Sequence, residues 1–189
     1  MDIEGTIING RTFSRARQLL TELGYDVGFE NGVVIVNKGT KDGRSPEAYI
    51  VAIDSFKVET NPRYANKNGQ TFCNFFAQDV MKHPSLNASL PPGRCVDIYS
   101  ALEDNKFSLW VNVSFEEAQA RANKGFPTVA ISAVPNHIAV IRPNGGKAVS
   151  EMRDVLISQA GRNIYASTTL NWGWRKEDFP NIKFYSWFE

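Results

Sequence analysis

From residue 128 onward the chain is written in short apolar runs separated by turns. Residues 128–132, 138–142, 155–159 and 183–187 each carry the strand pattern, and Gly145-Gly146 separates the second run from the third. Helical patterns precede them. Pro46 can open a helix with Tyr49, Ile50, Ile53 and Phe56 at helical spacing, although a strand over 48–53 competes with it. A second helix is expected from Cys73 to about Lys82, stopped by Pro84, and a shorter one over 96–102. Ser114 and Glu117 have capping-box spacing, and that helix runs to about Asn123 before Gly125. Helices first and strands after predict an α+β fold, with helices packed on one side of an antiparallel sheet.

Residues 1–44 read as a small separate α/β unit, and 45–189 as the main domain. In the first, Ile8-Asn9-Gly10-Arg11 suggests a turn, residues 12–24 a helix ended by Gly24, and Glu30-Asn31-Gly32 a hairpin between strands at 25–29 and 33–36. The stretch 38–45 is polar and glycine-rich, as linkers are.

The 189 residues hold 21 basic and 20 acidic side chains. That balance offers no basic excess for nucleic acid or for an anionic membrane surface. No apolar run is long enough for a membrane span. The start, Met-Asp-Ile-Glu-Gly-Thr, lacks the basic and apolar segments of a signal peptide. The expectation is a protein made in the cytoplasm that leaves by another route, or one whose leader has been removed. Two cysteines make no disulfide framework, although one bridge between them is allowed, and two Cys with two His, neither at close ligand spacing, make no zinc site.

Chemistry is concentrated around Cys73. The thiol sits where a loop ending at Gly69 meets the apolar helix, and a helix N-terminus stabilises a thiolate. A lone Cys also suits a core. What sets Cys73 apart is the loop–helix junction, the polar neighbour Asn74 and a downstream His. Cys95 has no orienting group near it in sequence and reads as a packing residue. Of the histidines, His83 is about ten residues along the Cys73 helix, roughly 15 Å away, too far to take its proton. His137, at the head of a strand, is left as the base. A third group should orient its imidazole. Gln159, ending a neighbouring strand, and Asn163 are the candidates, each with an ordinary turn role as the alternative. Tyr64 could donate to a developing oxyanion beside the Cys73 N–H, or lie as an aromatic lid on the core. Trp172 and Trp174 could wall a substrate groove, or simply pack.

These residues carry a resemblance. The run Thr71-Phe72-Cys73-Asn74-Phe75-Phe76-Ala77-Gln78-Asp79-Val80, the helix 118–125, His137-Ile138-Ala139-Val140-Ile141-Arg142-Pro143 and Gln159-Ala160-Gly161 look like the NlpC and CHAP group of papain-like cysteine peptidases. The resemblance spans about 48–189. Two positions depart from the group's habit: Asn136 stands where Gly usually precedes the His, and Asn74 where Ser, Val or Thr usually follows the Cys. The first forty residues resemble a small stalk-type repeat of cell-surface proteins. The resemblance implies a papain-like fold and hydrolysis of an amide in peptidoglycan, within the stem peptide or between peptide and sugar. Cys73, His137 and Gln159 would be the catalytic residues, and no cofactor is needed. It suits a phage or prophage lysin, or an injected antibacterial effector, which would have an immunity or inhibitor protein as partner. Two other classes stay open: a non-catalytic wall-binding or assembly protein on the same fold, and a cysteine acyltransferase or deamidase.

Overall fold

The computed structural model describes residues 25–30, 33–38, 44–86, 88–104 and 109–188. The chain divides into two compact units, Met1–Ser45 and Pro46–Glu189. In the first, β1 (Tyr25–Glu30) and β2 (Val33–Lys38) pair antiparallel, from Tyr25 opposite Lys38 to Glu30 opposite Val33. A register closing on Glu30 and Val33 leaves two residues for the connection, which is the loop length that Asn-Gly favours. The turn expected at 8–11 and the helix expected at 12–24 lie outside the described residues.

The second unit is α+β. Its elements are α1 (Pro46–Ser55), α2 (Cys73–Met81), α3 (Cys95–Glu103), β3 (Trp110–Val113), α4 (Phe115–Ala122), β4 (Thr128–Ser132), β5 (His137–Ile141), β6 (Leu156–Ala160), β7 (Ile164–Thr169) and β8 (Lys183–Trp187). The six strands form one antiparallel sheet in the order β3-β8-β4-β5-β6-β7. The last strand of the chain is therefore interior: Phe184 and Tyr185 pair with Ala130 and Val129 on one side, and β8 pairs with β3 on the other.

β4 and β5 are buried at every position. Successive strand residues face opposite sides, so both faces of the middle of the sheet are covered. α2, α3 and α4 pack on this sheet, against β4, β5, β6 and β8. β3 and β7 depart from the expected strand set. β3 is four residues long and β7 reads Ile-Tyr-Ala-Ser-Thr-Thr, half-buried, so neither carries the apolar run by which interior strands are recognised.

Helix prevails over strand at 46–55 because Tyr49, Ala52 and Ile53 share one buried face while Val51 points to solvent. The Tyr49 hydroxyl locks α1 to β4. It donates to the Thr128 carbonyl at 3.2 Å and accepts the Thr128 N–H at 3.0 Å, and its burial pushes its pKa upward. Arg142 ties α1 to the sheet as well, with a bidentate pair to Asp54 at 2.6 and 2.8 Å and a bond to the Ala166 carbonyl at 3.1 Å. In α4 the Ser114 hydroxyl accepts the Glu117 N–H at 3.2 Å, as its spacing predicts. Gln119, on the same helix, accepts the Leu156 N–H at 2.8 Å and donates to the Arg142 carbonyl at 2.9 Å. One buried side chain thus satisfies a group on β6 and another just past the end of β5. Among the described residues, no helix is long and apolar enough to cross a membrane.

Candidate active site

The apolar stripe of α2 consists of Cys73, Phe76, Ala77, Val80 and Met81, all buried at i, i+3, i+4, i+7 and i+8. Cys73 continues that stripe, so its sulfur faces the sheet, against β5 and β6 on which α2 packs. It is also the first residue of the helix. The N-cap residue is Phe72, which makes no side-chain cap bond, so no cap side chain takes the N–H groups at the helix start and their field acts on the sulfur.

β5 begins with His137, and β6 carries Gln159 near its end. Val140 pairs with Ser158 and Ile141 with Ile157. Continuing that register places Ala139 opposite Gln159 and Gly161 opposite His137, so His137 and Gln159 share one face of the sheet. His137 Nε2 lies 2.9 Å from Gln159 Oε1. The amide orientation follows from its other end: Gln159 Nε2 donates to the Asn163 carbonyl at 3.2 Å and the Trp172 carbonyl at 3.3 Å. With its NH2 group held by two acceptors, the amide presents oxygen to the ring. The imidazole must then carry hydrogen on Nε2, and Nδ1 is left for its second partner, the Cys73 sulfur. Cys73, His137 and Gln159 are 4, 8 and 1 % exposed, so the relay is nearly dry.

The anionic form of the sulfur is favoured. Its pKa lies well below that of a free thiol, first through hydrogen bonding with the neighbouring Cys95 thiol, then through hydrogen bonding and charge attraction from His137 and a bond from the Ile138 backbone. Burial opposes these and loses. The Cys95 thiol is pushed the opposite way, first by hydrogen bonding with Cys73, then by burial and by the charge of Cys73. These opposite shifts fix the sign of the pH dependence. A free thiol near pKa 8.5 loses reactivity about tenfold per pH unit below that value. Cys73 stays largely thiolate across the same range, so its iodoacetamide labelling at pH 6 is expected within a few-fold of that at pH 8, with Cys95 unlabelled. Labelling of Cys73 that falls with pH like a free thiol would refute the lowered pKa of its thiol.

Three sequence expectations are corrected. The Tyr64 hydroxyl is not an oxyanion donor: the side chain is buried edge-on against Phe76, and its hydroxyl donates to Asp79 at 2.8 Å, where Arg63 also binds. The Asn163 contribution to the relay is its backbone carbonyl, not its amide. Trp174 is not a groove wall open to solvent. It is 3 % exposed and lies against His137 with ring centroids 4.5 Å apart. Its indole N–H donates to Ser132 Oγ at 2.7 Å, which fixes the ring as a hydrophobic cover beside the imidazole. Trp172 is the exposed member of the pair, with Tyr165 6.0 Å away. His83 lies beyond the C-terminus of α2, its Nδ1 2.8 Å from Ser85 Oγ.

Other residues of the site carry weak sequence signals. Cys95 opens α3 one residue before the expected start, which puts its thiol beside Cys73, 3.8 Å from the Ser132 carbonyl. Its position after a Pro-Gly turn is the available signal. Gly161 and Gly173 are required by space. A Cβ on Gly161 would stand 2.6 Å from His137 Cε1, and one on Gly173 would stand 2.6 Å from Gln159 Oε1. Among the described residues, no three His, Cys, Asp or Glu side chains come together as a metal site. The chain matches no protein-family model, and a search of curated proteins finds no match.

Proposed function

We propose that this chain is a papain-like cysteine hydrolase of the NlpC and CHAP kind, cleaving an amide bond in peptidoglycan. The observation that carries the chemistry is the single relay of thiolate, imidazole and amide, Cys73–His137–Gln159, with the sulfur on a helix start and the other two on adjacent central strands. The substrate class rests on the resemblance of the Cys73, His137 and Gln159 segments to that group.

In this reading the Cys73 thiolate attacks the amide carbonyl carbon. The oxyanion forms at the start of α2, where the Cys73 N–H is available to it. His137 Nδ1–H protonates the leaving amine while Gln159 Oε1 holds the Nε2–H, so the ring keeps its orientation through the transfer. Neutral His137 then takes a proton from water, the hydroxide attacks the thioester, and the acid leaves with Cys73 restored. Trp174 shields the His137–Gln159 bond from solvent and so keeps it strong.

Digestion of purified walls and of synthetic stem peptides tests the reading. The expected products are one new amine and one new carboxylate per bond, identified by mass spectrometry, with no metal added. Transfer of the acyl group to an amine would reassign the chain as an acyltransferase. Binding to walls without any product would make it a wall-binding protein.

A further inference from the structure

The hydrolytic cycle uses Cys73 and leaves a second buried nucleophile, Cys95, unaccounted for. Both thiols are free and both are 4 % exposed. Each is the first residue of its helix, Cys73 of α2 and Cys95 of α3. The loop before Cys95 is bonded directly to α2. Asn74 Nδ2 donates to the Gly93 carbonyl at 2.9 Å, and Gln78 Nε2 donates to the Pro91 carbonyl at 2.9 Å. Asn74 directly follows Cys73 and Gly93 lies two residues before Cys95, so this bond sets the two helix starts side by side. The Cys95 thiol donates to the Ser132 carbonyl at 3.8 Å, and Ser132 pairs with His137 across β4 and β5. Each thiol shifts the other's ionisation, as neighbours do. A disulfide brings the two sulfurs to about 2.05 Å.

We propose that Cys73 and Cys95 form a reversible disulfide when the protein meets a peroxide, with Cys95 as the resolving thiol, and that this bond switches the site off. The Cys73 thiolate attacks one peroxide oxygen, the O–O bond breaks, and hydroxide leaves to be protonated as water, so Cys73 becomes a sulfenic acid. That step discharges the negative charge that held the Cys95 proton. Cys95 sulfur then attacks Cys73 sulfur, the S–O bond breaks, and the hydroxyl leaves with the Cys95 proton as a second water. The two sulfurs together lose two electrons and the peroxide gains them. A dithiol reductant reverses the bond by exchange. With Cys73 in the disulfide, no thiolate remains for the amide.

The loss of hydrolysis rests on the proposed function, whereas bond formation does not, so the two are read separately. The folded full chain is treated with one equivalent of hydrogen peroxide and mapped under non-reducing conditions. The expected result is an intrachain cross-link joining the peptides of Cys73 and Cys95, lighter by two hydrogens. Dithiothreitol should restore both thiols together with wall hydrolysis. Cys73 carried to sulfinic acid while Cys95 still titrates as a free thiol would overturn the proposal, and so would cross-links only between chains. In Cys95→Ser, five equivalents of peroxide should drive Cys73 past the sulfenic stage, which takes two equivalents per thiol, and leave less than about a tenth of the thiol recoverable, whereas the unsubstituted protein under the same excess keeps most of it as the disulfide. Recovery equal to that of the unsubstituted protein would overturn the resolving role. A cross-link in a protein that cleaves no wall would refute the function and leave the dithiol chemistry standing.

Discussion

Cys73→Ala is expected to lower hydrolysis of wall amides by about 10⁶-fold, to the background of the assay, while the protein stays folded. The effect is that large because no other side chain can replace the sulfur. Cys95 is held protonated, and the Tyr64 hydroxyl is bound to Asp79. The structural cost is small. Ala is the best helix former, and the change removes one sulfur from a buried stripe whose other members, Phe76, Ala77, Val80 and Met81, are untouched. A loss of about 1 kcal/mol in urea denaturation is the scale to expect for so small a truncation. His137→Ala should fall to a similar level, and the double variant no lower, because nucleophile and base act as one unit. Turbidity loss, amine release and circular dichroism on the same preparations check this. Substantial lysis by a folded Cys73→Ala protein would refute the assignment.

Gly161→Ala is expected to reduce kcat by about 10²-fold with little change in KM, although Gly161 touches no reacting atom. Its added methyl would stand 2.6 Å from His137 Cε1 and 3.3 Å from both ring nitrogens. The ring cannot yield away from the new methyl without moving against Trp174 or off Gln159, which hold it at 4.5 Å between centroids and at 2.9 Å. A displacement of about 1 Å is enough to misalign Nδ1 with the sulfur and to weaken the hydrogen bond between them. The substitution should therefore also raise the pH at which Cys73 becomes reactive to iodoacetamide, a readout that a merely local packing defect would not move. Wild-type kcat together with an unchanged labelling profile would show that the imidazole has room the structure does not give it.

Much of the site is legible in the chain because its parts obey local rules. The loop residues before Cys73 and the apolar spacing after it place the thiol at a helix start, and α2 begins at that residue. The strand patterns locate His137 and Gln159 within one residue of the ends of β5 and β6. The half-buried, polar β7 and the short β3 are not legible, because an edge strand needs no apolar run and four residues carry too little periodicity. The partner of the Tyr64 hydroxyl lies 15 residues away on α2, and a loop aromatic gives no local sign of what it will meet. Trp174 belongs to a loop 37 residues beyond His137, and bonds from Gln159 to the Trp172 carbonyl and from the Trp174 indole to Ser132 hold that part of the chain beside the imidazole.

What the chain alone indicated is where the candidate groups stand: a thiol at a helix start, and an imidazole at the head of a strand. Both follow from forces that act within a few residues, namely hydrophobic periodicity and the unpaired N–H groups of a helix start. The tertiary structure decided everything that turns on distance between segments. It oriented the Gln159 amide by two carbonyls from other turns, which sets the imidazole tautomer. It also set Cys95 beside Cys73 by bonding the loop before α3 to α2, so that the thiol read as packing becomes a neighbour of Cys73 that shifts its ionisation. Hydrogen bonds and charge interactions of this kind depend on separations of a few ångströms, and sequence spacing does not encode such separations once the chain has turned back on itself.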